Sequence, residues 1–198
     1  MSTEHASERG TSRDTGGPRI LPVVDPDAKV AAMLATGWQH NGAPLNLPRT
    51  LAHHARLLER FSTFAGLFLM KSSLPARDRE LLTLRSTFRA GTEYYFGHHI
   101  ATAERVGIDG TTRRALTDPS YLGEGADAVL IAVADELIGD GVLSDATWTA
   151  LTGVYPEPAQ QLEALFIPGF YRMVAGVANT IRVEREPGVP GWPMDHAD

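Results

Sequence analysis

The sequence predicts an all-α fold, a bundle of about seven to eight helices, and three observations support this prediction. Apolar residues recur at intervals of three and four along most of the chain, which is the spacing of one helix face. Alternation of apolar and polar residues, which is typical of a half-buried strand, persists nowhere. The stretches between the predicted helices are short, as they are in helical bundles.

The length of 198 residues suits one domain with tails at its ends. Residues 1–17 are polar and carry mixed charges, so we expect a disordered N-terminal tail. Residues 18–186 form the single helical domain. Residues 187–198 are rich in Pro, Gly and Asp, and we expect them to form a C-terminal tail.

The first third of the chain predicts two helices before the central pattern. The segment DPD at 25–27 is a cap signal for a short helix that ends near Trp38. The segment HNGAP at 40–44 predicts a turn or loop. A longer helix then covers residues 47–71, with an apolar stripe of Leu51, His54, Leu58, Phe61, Ala65 and Phe68.

Residues 74–107 predict two antiparallel helices around a break at residues 90 and 91. Gly91 suits the left-handed residue that ends a helix. Thr92 can cap the next helix, and Glu93 suits its positive end. After this hairpin, Thr111 or Thr112 caps a short helix that ends at Leu116.

The last third of the chain predicts three more helices. The first covers residues 124–138, and the second begins after Ser144 as its cap and ends at Val154. The last long helix covers about residues 159–181. Pro168 and Gly169 lie inside it, so we expect a kink or a local break there.

The hairpin contains a candidate acid–base pair. His99 shares a helix face with apolar residues and points inward, whereas His98 falls on the polar face and points outward. Glu80 lies about ten residues before the break and His99 about nine after it, so at about 1.5 Å per residue their axial positions nearly match. An inward carboxylate that faces an imidazole can serve in general acid–base catalysis.

Glu80, Thr92, Tyr95 and His99, at steps of twelve, three and four residues, resemble the active-site frame of the carboxymuconolactone decarboxylase / alkylhydroperoxidase D (AhpD-like) family. The peroxidase branch carries Glu, Cys, Cys and His in this frame. Here Thr92 and Tyr95 occupy the Cys positions. The string TEYYFGHH is similar to the Cys-less branch, which commonly carries E-Y-x-W-x-x-H, with Phe96 in place of Trp. The resemblance covers residues 45–184, including the string RDRELLTLR at 77–85.

The composition excludes several classes of function. The chain has no cysteine, and thiol peroxidase turnover needs a thiolate that cycles through sulfenic acid and disulfide. The net charge of −6 argues against a general nucleic-acid binder. No apolar run has the length of a membrane span, and the N-terminus lacks the pattern of a secretory signal. We therefore expect a cytoplasmic protein.

The resemblance implies a cofactor-independent enzyme that acts on a small oxygenated organic acid or lactone by decarboxylation, isomerisation or a related proton transfer. His99 is the candidate acid–base residue, and Glu80 is the carboxylate that positions it. The candidates for substrate binding are Tyr95, Thr92, Phe96, Arg85 and Glu93. Several of these have simpler interpretations: Thr92 as a helix cap, Tyr95 as core packing and Arg85 as part of a salt bridge.

Other interpretations remain open at this point. The chain could bind a small ligand without catalysis, and peroxidase activity is suggested only by the family label. We expect no metal site, since His53 and His54 are adjacent and point to different faces. The implied proton transfer needs no organic cofactor, and no nucleotide-phosphate loop is present, so we expect none. The resemblance also implies a homo-oligomer, a trimer or hexamer, with a dimer as the alternative.

Overall fold

The helices lie close to where the apolar spacing predicts them, and the all-α bundle is confirmed. The computed structural model describes residues 16–193, in which seven helices have nine or more residues. In chain order the elements are α1 (Ala28–Thr36), β1 (Gln39–His40), β2 (Ala43–Pro44), α2 (Asn46–Leu51), α3 (Ala55–Met70), α4 (Ala76–Arg89), α5 (Glu93–Arg105), α6 (Gly110–Ala115), α7 (Gly125–Gly139), α8 (Asp145–Val154) and α9 (Pro158–Ile181). The predicted tails lie outside the described residues over 1–15 and 194–198.

The helix predicted over 47–71 is two helices, because the chain turns between α2 and α3. A short 3-10 turn covers Ala52–His54, and His54 has extended backbone angles (φ −131°, ψ 84°). Its Nδ1 accepts the N–H of Leu57 at 3.3 Å. His54 is therefore the cap of α3 and not a member of the apolar stripe.

Two further local predictions need correction. The loop at 40–44 contains a two-residue antiparallel ladder, closed by Asn41 and Gly42 at φ 50° and 78°. These positive φ values are those of a tight hairpin turn. Helix α6 is capped by Asp109, whose carboxylate accepts the N–H of Thr112 at 2.7 Å, and not by a threonine.

Helix α4 lies at the centre of the bundle and packs against α5, α7 and α9. Its residues Leu81, Leu82 and Leu84 have no exposed surface. Gly91 ends the hairpin turn at φ 67°, as predicted. Because α4 and α5 are antiparallel neighbours, residues equally distant from this turn lie side by side.

Helix α9 runs through Pro168 without the predicted break. Its buried face packs into the core on both sides of the proline, with Ala164, Ile167, Tyr171 and Val174 all buried. Within the described residues, this is the one helix long and apolar enough to cross a membrane. The burial of its face against α4 and α7 is that of a core helix in a globular domain.

The chain beyond α9 packs against the hairpin. Trp192 lies 5.6 Å from Phe88 and 4.9 Å from Phe96, measured between ring centroids, and Val189 is buried. A Cβ on Gly97 would lie 2.2 Å from the carbonyl oxygen of Pro190, so only glycine allows this approach. Packing therefore continues to residue 192, past the boundary at 186 that the composition predicts.

Candidate active site

A cavity of about 280 Å³ lies along α5, from Tyr94 to Arg105. Helices α3 and α9 and the segment before α2 complete its walls. Its walls expose more apolar than polar surface, and most of the polar side chains come from α5. This combination is typical of a site for a small organic molecule. The polar and ionisable side chains that line it are Gln39, Tyr94, Tyr95, His98, His99, Thr102, Arg105 and Tyr171.

Glu80 and His99 meet as the hairpin register predicts. The Oε1 atom of Glu80 lies 2.5 Å from Nδ1 of His99, and the carboxylate is 1% exposed. A carboxylate can only accept, so the imidazole donates its Nδ1–H to it. Glu80 is therefore not a solvated carboxylate at the helix start, and the nearby Arg77 pairs with Asp127 at 2.7 Å.

Tyr171 of α9 completes the group. Its hydroxyl lies 2.8 Å from Nε2 of His99. Since Nδ1 carries the proton shared with Glu80, Nε2 of the neutral ring accepts from the Tyr171 hydroxyl. Glu80, His99 and Tyr171 therefore form one hydrogen-bonded chain, and its last two members line the cavity.

The tyrosines of the site stay protonated. Burial raises the pKa of Tyr171 well above its ordinary value, and the negative charge of Glu80 raises it further. Burial likewise raises the pKa of Tyr95. Both hydroxyls therefore keep their protons throughout the physiological pH range.

Tyr95 lines the cavity, as predicted, with its ring 5.7 Å from that of Tyr171. Its hydroxyl oxygen is buried and has no hydrogen-bond partner among residues 16–193. A buried hydroxyl without a partner carries a desolvation cost, which structures seldom retain without a reason.

Arg85 does not reach the cavity. It is fully buried, and its guanidinium binds the carboxylate of Asp135 and the carbonyl oxygens of residues 116, 118 and 119. Arg85 lies five residues after Glu80, so its side chain points about 140° away from that of Glu80 around the axis of α4, toward α7. The prediction that Arg85 binds substrate is wrong, and its salt-bridge interpretation is confirmed.

Thr92, Phe96 and Glu93 also lie outside the cavity lining. Thr92 is buried, and its hydroxyl makes no hydrogen bond within residues 16–193 and does not cap α5. Phe96 packs on Trp192, and Glu93 accepts the N–H of Trp192 at 3.0 Å. The side chains of Phe96 and Glu93 face the C-terminal segment, whose packing against α5 the sequence does not indicate.

His98 was predicted to face solvent, and the structure corrects this. Its imidazole lines the cavity and lies 2.5 Å from the carboxylate of Glu186. Glu186 is the last residue of the predicted domain, and nothing in the sequence marks it as the partner of His98. Arg105, two helical turns beyond His98, is the one guanidinium in the cavity lining within the described residues.

Comparisons with known proteins identify the fold. No family model matches the sequence, and no curated protein matches it. Among solved structures, the chain is similar to an uncharacterized peroxidase-related protein from Silicibacter sp. TM1040, at 16% sequence identity and a TM-score of 0.74. The match covers 93% of this chain and 100% of that one. The AhpD-like helical fold expected from the sequence is thus confirmed.

Proposed function

We propose that this chain is a cofactor-independent enzyme that transfers protons on a small oxygenated organic acid or lactone. The observation that carries the proposal is the chain of hydrogen bonds from buried Glu80 through His99 to Tyr171, which ends in a cavity of about 280 Å³. Holding an ionisable carboxylate at 1% exposure is costly, and the partner that offsets the cost is an imidazole.

In the proposed reaction each group has its own role. Glu80 fixes the tautomer of His99 and stabilises the imidazolium that forms when Nε2 takes a proton. Tyr171 shares its proton with Nε2, so the pair can supply or accept one proton at the cavity wall. In a decarboxylation, the electron pair of the broken bond to carbon dioxide forms an enolate, which this pair protonates.

Arg105 provides a site for a substrate carboxylate, the role first assigned to Arg85. Its Nη2 donates to the hydroxyl of Thr102 at 2.9 Å, and no carboxylate among residues 16–193 forms a salt bridge with it. A guanidinium can bind a carboxylate through two parallel hydrogen bonds. We infer that an acidic substrate binds with its carboxylate toward Arg105 and its reacting carbon toward His99.

A second candidate function is ligand binding without catalysis. It is favoured by one observation: both ring nitrogens of His99 are already bonded to protein groups. If Tyr171 never leaves Nε2 or passes on its proton, the cavity only holds its ligand. Peroxidase activity by a dithiol cycle is not proposed, because the chain has no cysteine.

The test uses small butenolides, with and without a carboxylate, and measures carbon dioxide release and formation of isomerised lactone by NMR. We expect conversion by the wild-type chain and a loss of about 100-fold or more in Glu80→Gln and His99→Gln. His53→Gln is the matched control, since His53 is exposed, lies outside the cavity lining, and its side chain hydrogen-bonds only the carbonyl of Leu21 within the described residues. Binding without conversion by the wild type would favour the second candidate.

A further inference from the structure

A second carboxylate–imidazole pair borders the same cavity. His98 and His99 are consecutive residues of α5, so their side chains point about 100° apart. Both nevertheless line the cavity. His98 is bonded through Nε2 to Glu186, as His99 is bonded through Nδ1 to Glu80. The cavity therefore carries two imidazoles, each held by its own carboxylate.

The hydrogen-bond donors around the carboxylate of Glu186 favour its ionised form. Besides His98, the N–H of Asn46 donates to its carboxylate at 2.5 Å and the hydroxyl of Tyr94 at 3.2 Å. Burial alone would raise the pKa of Glu186, but the hydrogen bonds from His98 and Asn46 outweigh burial and lower it. An ionised carboxylate accepts, so the neutral imidazole of His98 donates from Nε2.

The free nitrogen distinguishes the two imidazoles. Nδ1 of His98 has no hydrogen-bond partner in the described part of the chain, whereas both nitrogens of His99 are bonded. With its proton on Nε2, the His98 ring has an unshared electron pair on Nδ1. Of the two rings, His98 is thus the one ready to accept a proton without displacing a protein group.

We propose that His98 is the base of a two-residue proton shift, in which His99 and Tyr171 act as the acid. The C–H bond next to a substrate carbonyl breaks, its proton goes to Nδ1 of His98, and its electron pair forms an enolate. For this step the acid starts with protons on both nitrogens of His99: the Tyr171 hydroxyl gives its proton to a different carbon and receives the Nε2 proton of His99, which leaves the neutral ring. The substrate keeps its atoms and its oxidation state, and the two imidazoles exchange the proton difference with water.

This inference rests on the proposed function and makes its substrate class narrower. A decarboxylation needs one proton at the carbon that loses carbon dioxide, so one acid suffices. Two imidazoles suit a substrate that loses a proton at one carbon and gains one at another. The substrate class is then a β,γ-unsaturated lactone or acid, which becomes conjugated with its carbonyl when the proton moves.

The probe is α-angelica lactone, a neutral β,γ-unsaturated lactone small enough for the cavity. Proton NMR in deuterium oxide reports two events separately: deuterium uptake at the methylene beside the carbonyl, and formation of the conjugated isomer. The first needs only the base, and the second needs the acid as well. The variants are His98→Gln, His99→Gln and the control His53→Gln, each checked for folding by thermal unfolding.

We expect His98→Gln to lose both deuterium uptake and isomer formation by about 100-fold. His99→Gln should lose isomer formation to the same extent and keep deuterium uptake within a few-fold of wild type. Isomer formation at the wild-type rate in His98→Gln would overturn the role of His98 and leave the Glu80–His99 function standing. Loss of deuterium uptake in His99→Gln would also overturn it. No conversion by the wild type would overturn the proposed function, and this inference with it.

Discussion

Arg85 is a fully buried guanidinium, and its environment makes it a residue for stability and not for substrate. Removing it would take the guanidinium donors from the carbonyls of Leu116 and Pro119 and would leave Asp135, which is 21% exposed, with only the longer contact to Arg89 at 3.4 Å among the described residues. We predict that Arg85→Met lowers the free energy of unfolding by about 3–5 kcal/mol, because a partner of a buried pair is lost.

Urea unfolding measures this effect, and Arg77→Met is the control. Arg77 makes a similar bidentate pair with Asp127, but its side chain is 41% exposed. Exposed pairs contribute about 0–1 kcal/mol, so the control variant should stay close to wild type. Equal losses in the two variants would contradict the role assigned to burial.

The residues of the candidate site differ in how far the sequence predicts them. The contact between Glu80 and His99 follows from helix periodicity and hairpin register, which are local properties of the chain. Tyr171 and Glu186 come from segments distant in sequence, and only tertiary packing brings them to α5. The orientation of His98 was wrong for this reason: its buried partner is 88 residues away.

Gly97 is a residue of α5 against which the segment after α9 packs closely. Its Cα faces the segment after α9 at a distance that leaves no room for a methyl group, with Pro190 O at 2.2 Å and Val189 Cγ1 at 2.8 Å from a built Cβ. We predict that Gly97→Ala moves this segment, weakens the bond between Glu186 and His98, and lowers the thermal midpoint.

Gly176→Ala is the matched control, because a Cβ there meets nothing within 4 Å. Alanine is favoured over glycine in a helix by about 1 kcal/mol, so this variant should be as stable as wild type or more stable. Thermal unfolding by circular dichroism compares the two. A rise in the thermal midpoint of both variants would contradict the close packing of the segment after α9 against Gly97.

Glu163 of α9 ties that helix to the start of α4. The hydroxyl of Ser72 donates to its carboxylate at 2.5 Å and the N–H of Ser73 at 2.9 Å. Burial alone would raise the pKa of Glu163, but these hydrogen bonds outweigh it and hold the pKa below its ordinary value of 4.5. A lowered carboxylate pKa contributes stability above the unfolded-state value, and that stability is lost as the pH falls through the folded-state value.

We therefore predict that Glu163→Gln costs about 1 kcal/mol of unfolding free energy near neutral pH, and that the cost shrinks below about pH 4. Urea unfolding at several pH values measures the difference from wild type. The control is Glu59→Gln, because Glu59 is exposed on α3 and its carboxylate makes no hydrogen bond within the described residues. A pH-independent difference for Glu163→Gln would contradict the assignment.

Among the secondary-structure elements, those helices that have a regular apolar spacing are predicted from the sequence. The positions at which the helices are interrupted are not predicted correctly. Helices α4 and α5 are predicted well, because Gly91 marks the turn between them. The break before α3 depends on the non-helical backbone of His54, and histidine is not a residue type from which a helix end is predicted. The continuity of α9 through Pro168 depends on core packing that outweighs a local helix breaker.

The molecule as a whole leaves a large apolar surface uncovered between α3 and α9, here called the α3/α9 surface. The rings of Phe64 and Phe166 lie 6.5 Å apart, so the two helices form one continuous patch. Such patches mark interaction sites. The exposed apolar side chains on it are Leu57, Phe64, Leu67, Met70, Leu162, Phe166, Met173 and Val177.

We propose that further copies of this chain cover the α3/α9 surface. Light scattering after size-exclusion chromatography should give a multiple of 21.4 kDa for the wild type and the single-chain mass for Phe166→Glu. Leu122→Glu is the control, since Leu122 is 71% exposed but lies outside α3 and α9. A wild-type mass of one chain at micromolar concentration would contradict the proposal.

The fold class was predictable for the whole molecule because helical periodicity recurs in nearly every segment, and each segment needs a partner for its apolar face. The contribution of the C-terminal segment to the site was not predictable. Residues 187–198 have the composition of a tail, yet Val189 and Trp192 pack against α5, and Glu186 just before them binds His98 in the cavity wall. Composition indicates whether a segment would be ordered in isolation, but it does not indicate which surface of the folded domain the segment packs against.

The measurement that tests the central claim most directly is chemical rescue of His99→Gly with free imidazole. The substitution removes the imidazole and leaves a void between Glu80 and Tyr171. We predict that lactone conversion falls by about 100-fold or more and returns, with saturation, as imidazole is added. Wild-type conversion by His99→Gly in the absence of imidazole would contradict the claim that this side chain transfers the proton.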